Sequence, residues 1–291
     1  MSRRPRPALP RVPRALALCG ALALALAVTG CSGTDGGGGG DKTGRGSGDP
    51  TSEVTLPEPG VGFDYQIGAP YPPPDGVRAV SRDREAKPAP DVYNLCYVNA
   101  FQAQPDATGW WREHHPDLLL RDDEGGLVVD ENWDEALLDL STPAKRERLA
   151  EVVGEWIDGC ADSGHQAVEA DNLDSHERSD GLLTAEDDLA FAELLVARAH
   201  DQGLAIGQKN AADLADRGRE LGFDFAVAEE CGQYDECDAY ATAYDDRVFV
   251  IEYEPSGLAA ACRDWGARLS IVLRDLDVTS PADPAYERRT C

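Results

Sequence analysis

Basic residues are scarce in this 291-residue chain: 27 Lys and Arg stand against 54 Asp and Glu, a formal net charge of −27. Five of the 27 fall in the first 14 residues, so a chain trimmed of its leader would carry about −32; a field of that sign repels nucleic acid and draws cationic partners. Metal-ligand spacing is also missing. There is no Cys-x-x-Cys or Cys/His cluster, and His114, His115, His165, His176 and His200 follow no ligating pattern, so neither a metal nor a cofactor is expected. A serine-hydrolase triad would want a Gly-x-Ser-x-Gly elbow, which is absent. No Gly-rich fingerprint follows the first strand, which argues against a doubly wound dinucleotide-binding sheet. No break in composition divides the chain beyond residue 55, so one domain is expected there.

What is present begins with a leader. Arg3, Arg4, Arg6, Arg11 and Arg14 precede an apolar Ala15–Val28 run that is too short for a comfortable membrane span. Val28-Thr29-Gly30-Cys31 then resembles a bacterial lipobox. The expectation is a lipoprotein signal over 1–30, a lipid anchor on Cys31, and a flexible Gly/Ser-rich tether over 31–54. A folded domain would occupy 55–291, monomeric and held at the extracellular face of the cell membrane. Six cysteines remain beyond Cys31, an even number suited to disulfides in an oxidising compartment. Cys231 and Cys237 are close enough to close a small loop. Spacing leaves Cys96, Cys160, Cys262 and Cys291 unassigned, with Cys96–Cys160 and Cys262–Cys291 as one pairing.

Short apolar runs alternate with helical stretches through the rest. Strands are expected at Phe63–Ile67, Val77–Val80, Val92–Val98, Gln166–Asp171, Leu204–Gln208, Phe223–Glu229, Val248–Tyr253 and Leu269–Leu273. Between several of them lie capped amphipathic helices, such as the one beginning at Pro143 after Thr142 and the one following Thr184. Gln104–Asp139 reads as a long irregular insertion. This alternation points to a parallel α/β architecture, a (β/α)8 TIM-type barrel first and a doubly wound sheet second.

The chain is organised around Val168–Asp174, an apolar strand running into acids. Side chains alternate along a strand, so Glu169 and Asp171 share a face. A second strand ends at Glu229 and Glu230, and parity puts Phe225, Val227 and Glu229 together with Glu230 opposite. In a barrel the strand C-termini form one rim, where Asp83, Asn99, Asp171, Asn210, Glu229, Glu252 and Asp275 would converge. Paired carboxylates are the equipment of glycoside hydrolysis, one protonating the leaving oxygen and the other attacking or activating water. Asp171 and Glu229 are the candidates by position. Glu169 and Asp174 are read as orienting a cationic sugar, and Asn172, Lys209 and Glu230 as further sugar contacts. Trp110 and Trp111 offer a stacking platform, whereas Trp133 and Trp156 read as core.

These residues resemble a known family. Gly164–Asp174, with its Asp171-Asn172-Leu173-Asp174 core, is similar to the Asp-Asn-hydrophobic-Asp signature of glycoside hydrolase family 114, the endo-α-1,4-polygalactosaminidases. So are Ala199–Leu204 leading into Gln208-Lys209-Asn210, Glu229-Glu230-Cys231 followed by Glu236-Cys237, and Ile251-Glu252-Tyr253. The resemblance covers most of residues 60–275. It departs at Ser175-His176, where Gly-Tyr is expected, and at Gly232, where an aromatic is common. It implies a (β/α)8 barrel, internal cleavage of α-1,4-linked galactosamine polymer, and catalytic roles on Asp171 and Glu229. A cationic amino-sugar polysaccharide would suit so acidic a chain. The alternative from another class is a carbohydrate-binding lipoprotein on the same barrel without catalysis.

Overall fold

Apolar residues at every second position decide which way each strand faces. In the computed structural model, which describes residues 54–291 as part of one compact unit, they build a curled sheet. The lipobox, Cys31 and all of the tether but residue 54 lie outside the described residues. Strands β1 (Phe63–Tyr65), β2 (Ala79–Asp83) and β3 (Tyr93–Asn99) open the sheet. A short strand β4 (Gln102–Ala103), helix α1 (Thr108–His114), strands β5 (Val129–Asp130) and β6 (Glu135–Leu137), and helix α2 (Pro143–Ser163) follow. Then come β7 (Ala167–Asp171), α3 (Ala185–Asp201), β8 (Ala205–Lys209), α4 (Ala215–Leu221) and β9 (Phe225–Glu229). Helices α5 (Cys231–Tyr234) and α6 (Cys237–Ala243), β10 (Val248–Glu252), α7 (Pro255–Trp265), β11 (Ser270–Arg274) and β12 (Arg288–Thr290) complete the chain.

Pairing runs β1-β2-β3-β7-β8-β9-β10-β11, all parallel, with β12 added antiparallel to β11. The ends of the parallel run, β1 and β11, lie side by side, so the sheet curls round as an α/β barrel of the (β/α)8 type. Arg288 of β12 bridges this seam, donating to Phe63 O at 3.2 Å and pairing with Asp64 at 3.1 Å. Each expected strand is present, displaced by three residues or fewer at its ends. The β1–β2 and β2–β3 connections carry no helix among the described residues. One detail differs from the sequence reading: β12 went unread because Arg288-Arg289-Thr290 has no apolar alternation.

Two cores follow from strand parity. Inside the barrel lie Phe63, Tyr65, Leu95, Ala167, Ala205, Phe225, Val227, Phe249, Ile251 and Val272. Gly207 is required there, because a Cβ would sit 2.3 Å from the Phe225 ring. The alternate residues, such as Val168, Ile206, Ala226, Val250 and Leu273, face the helices. Helix α2 shows why the outer layer forms where it does. Thr142 caps it by accepting from Lys145 N, Pro143 occupies its first turn, and Gly164 at φ 92° ends it. Leu149, Val153, Ile157 and Cys160, three or four residues apart, are its buried stripe. Each such side chain adds about 1.5–3 kcal/mol by leaving water. Helix α3 begins in a full capping box between Thr184 and Asp187.

Disulfides join Cys96–Cys160, Cys231–Cys237 and Cys262–Cys291. The first ties β3 to α2, and the last fastens the C-terminus to α7. The insertion after β3 is not irregular throughout: it holds α1 and a separate three-stranded sheet, β4-β6-β5.

Candidate active site

The inner face of the barrel becomes polar as the strands approach their C-termini. Glu169 and Asp171 of β7, Lys209 of β8 and Glu229 of β9 meet there. Lys209 Nζ lies 3.1 Å from Glu169 Oε1, 3.2 Å from Asp171 Oδ1 and 3.7 Å from Glu229 Oε2. Lys209 is buried, and burial works against its charge. Asp171, Glu229 and Glu169 outweigh that and hold the ammonium well above the ordinary lysine range. Glu169 has no exposed surface. Burial raises its carboxyl, Lys209 opposes the rise, and Asp171 adds to it; the net direction is upward. Both directions are consistent, because three carboxylates around one ammonium leave the cavity net negative.

Tyrosines close the ring. Tyr65 donates to Glu169 at 2.9 Å and Ser81 donates to its other oxygen. Tyr97 donates to Asp171 Oδ2 at 2.7 Å, and Tyr253 donates to Glu229 Oε1. Burial raises the phenols of Tyr65, Tyr97 and Tyr253 well above the usual tyrosine range, so they serve as fixed donors. None of Tyr65, Ser81, Tyr97 and Tyr253 was expected at the site from sequence, although Tyr253 lies in a stretch that resembles the family. Parity held the signal, since Tyr97 precedes Asn99 by two and Tyr253 follows Ile251 by two.

The chain turns away sharply just past each of these strands. Asn172, Asn210 and Glu230, the first residues after Asp171, Lys209 and Glu229, have φ of 70°, 54° and 59°. Asparagine tolerates this left-handed conformation better than most residues. Each asparagine also grips a site residue. Asn172 N donates to Asp171 Oδ1 at 2.9 Å, and its Nδ2 donates to Asn99 Oδ1 at 3.0 Å. Asn210 holds Glu229 at two points, accepting from its backbone N at 2.8 Å and donating to Oε2 at 3.0 Å.

Several expected sugar contacts are placed otherwise. Glu169 and Lys209 lie beneath Asp171 and Glu229 and have almost no surface to offer. Asp174 is buried and ion-paired with Arg178 at 2.7 Å, bracing its own loop. Glu252 is buried on the outer face of β10, because the inner positions belong to Phe249 and Ile251; it accepts from Gly232 N at 2.7 Å. Burial pushes its carboxyl up to about 7, Gly232 N–H counters, and Glu230 adds to the rise. Asp275 accepts from Thr279 N at 2.8 Å and Glu287 N at 3.3 Å, shaping the C-terminal loop instead of the rim. Asp83 follows Ser81 on the inner face, yet its carboxylate caps its own turn through Glu85 N at 2.8 Å. Trp111 is fully buried against Trp156 and cannot be a platform. Trp110 stacks on His114 and keeps 40% of its surface, and Trp133, expected in the core, is 47% exposed.

With that geometry in hand, comparison with known proteins gives a consistent result. A model of glycoside-hydrolase family GH114 matches residues 46–291. None of the curated proteins matches. Among solved structures, Ega3 from Aspergillus fumigatus, in complex with galactosamine, is similar at 23% identity and TM-score 0.67, covering 84% of this chain and 100% of that one. The glycoside hydrolase domain of PelA from Pseudomonas aeruginosa is similar at 17% identity and TM-score 0.52, covering 76% and 96%.

Proposed function

The chain belongs to glycoside-hydrolase family GH114, and from that premise we propose that it cleaves internal α-1,4 bonds of galactosamine-containing polysaccharide, with Asp171 and Glu229 as its catalytic pair. One observation carries this reading: carboxylates from two different strands share the Lys209 ammonium at the C-terminal rim of the barrel. That is where barrel enzymes do their chemistry. The galactosamine bound to Ega3 supports the substrate class, and a net charge of −27 suits a cationic polymer.

The contacts support a retaining mechanism. Asp171 Oδ1 and Glu229 Oε2 lie 3.2 and 3.7 Å from one nitrogen, so those oxygens are no more than about 7 Å apart. That closeness supports the retaining geometry, with carboxyl groups ~5–5.5 Å apart, over the ~6.5–9.5 Å of inverting enzymes. Asp171, oriented by Tyr97, Asn172 N–H and Lys209, attacks the anomeric carbon. Glu229, oriented by Tyr253 and Asn210, gives its proton to the leaving glycosidic oxygen. Glu229 then takes a proton from the water that displaces the sugar from Asp171. Val28–Cys31 supports anchoring of the enzyme to the outer face of a membrane. The direct test is to incubate the protein with partly deacetylated α-1,4-galactosaminan: short oligosaccharides are expected, and binding without any cleavage would overturn the proposal.

A further inference from the structure

The small sheet inserted after β3 brings one more acid to this site. Asn99 ends β3, and β4 starts three residues later, so the sheet is fastened to the rim beside β7. Glu135 opens β6 and accepts from Asn172 Nδ2 at 3.3 Å; Asn172 is the residue next to Asp171. Gln102 of β4, with its amide oriented to satisfy its neighbours, donates to the same Glu135 oxygen at 3.0 Å and accepts from Arg178. Glu135 therefore stands one side chain away from Asp171 and is only partly buried.

Amide groups fix this carboxylate without neutralising it. Among the described residues Glu135 makes no ion pair within 4.0 Å. Arg178 acts on it from farther away and is itself paired with Asp130 at 3.0 Å and Asp174 at 2.7 Å. Burial pushes the Glu135 carboxyl up to about 7; the Asn99 amide counters, and Asp171 and Asp130 add to the rise. A cation brought to this position would favour the ionised carboxylate, which Arg178 compensates only from a distance.

Resting on the hydrolase reading above, we propose that Glu135 reads the nitrogen substituent of the sugar unit bound beside Asp171, accepting from a protonated amine and disfavouring an acetamide. A carboxylate pairs strongly with an ammonium. An acetamide offers one neutral donor and more bulk in the same place. The inserted sheet thereby sets the acetylation preference, while the barrel strands carry the reaction.

Calorimetric binding of fully deacetylated and fully N-acetylated α-1,4-galactosamine oligomers to the full chain and to Glu135→Gln tests this. Gln keeps the shape and can still accept from Asn172, so circular dichroism and Tm should match the parent. Binding of the deacetylated oligomer should weaken about 10- to 100-fold, the size of one charge-assisted contact, with less than about a threefold change for the acetylated one. Equal losses on both oligomers, or an unchanged ratio, would overturn the proposal, as would a parent that binds neither. Cleavage followed in the same samples separates the two claims: a parent that binds with the expected ratio but never cleaves refutes the hydrolase reading and leaves Glu135 as the selective contact.

Discussion

Replacing Lys209 with Met removes the charge at the centre of the site while keeping most of the stem. Its ammonium lies 3.1, 3.2 and 3.7 Å from three carboxylates, and neither Lys209 nor Glu169 has appreciable exposure. At such distances each attraction is about 4–5 kcal/mol for an effective dielectric near 20, largely offset by the cost of taking the charges from water. Removing one partner of such a buried group costs about 3–5 kcal/mol, because the other charges stay buried. For a domain of this size that corresponds to a fall in Tm of roughly 6–20 °C. The loss should depend on pH in a definite direction. Glu169 already has a folded-state pKa above its unfolded value, and without Lys209 opposing the rise it goes higher. The folded variant then holds a proton that the unfolded chain releases. Its stability is therefore greatest below the unfolded carboxyl value and declines as pH rises through the folded one. Calorimetric Tm values for both proteins from pH 5 to 8 would show the deficit largest at pH 8 and shrinking toward pH 5. A deficit that stays under about 2 °C throughout, or grows toward acid pH, would refute the idea that Lys209 compensates buried carboxylates.

Other expectations are simpler. Trp111→Ala should cost about 3–5 kcal/mol in a denaturant titration, since a fully buried indole against Trp156 is lost; a change below about 1 kcal/mol would mean the ring is not core. Opening Cys96–Cys160 with paired Ala substitutions should cost about 2–5 kcal/mol, read as a Tm shift, because the link closes a long loop between β3 and α2; an unchanged Tm would contradict it. Cys31→Ser should release the protein from membranes or block its processing, and a variant that fractionates and matures normally would rule out the lipid anchor.

The strand order and the inner acids were legible because period-two alternation is a local property. Phe225, Val227 and Glu229 share a face for the same reason that Phe249 and Ile251 do. The same rule excludes Glu252 from the rim, and counting strand-end acids without applying it overcounted the site. Lys209 was misread for a different reason. A lysine at a strand end looks solvated until acids from β7 and β9, 38 residues behind and 20 ahead, close around it. Glu135 gave no signal because it lies in a stretch without periodicity, and only the fold brings it within hydrogen-bond reach of Asn172, just past β7. Asp174 and Asp275 were indistinguishable from site acids in sequence, since bracing a loop and binding a sugar ask for the same side chain.

The central claim is that Asp171 and Glu229 perform the chemistry, and the rate of oligosaccharide release from partly deacetylated α-1,4-galactosaminan tests it most directly. Asp171→Asn and Glu229→Gln alter charge with little change in volume, so both should fold with near-parental Tm. Each should cleave at least ~10²–10⁴-fold more slowly, the scale for loss of a general acid or base. Glu230→Gln, at the turn just past β9, should stay within a few-fold of the parent. Near-normal cleavage by both Asp171→Asn and Glu229→Gln, alongside an inactive Glu230→Gln or Glu169→Gln, would contradict the assignment.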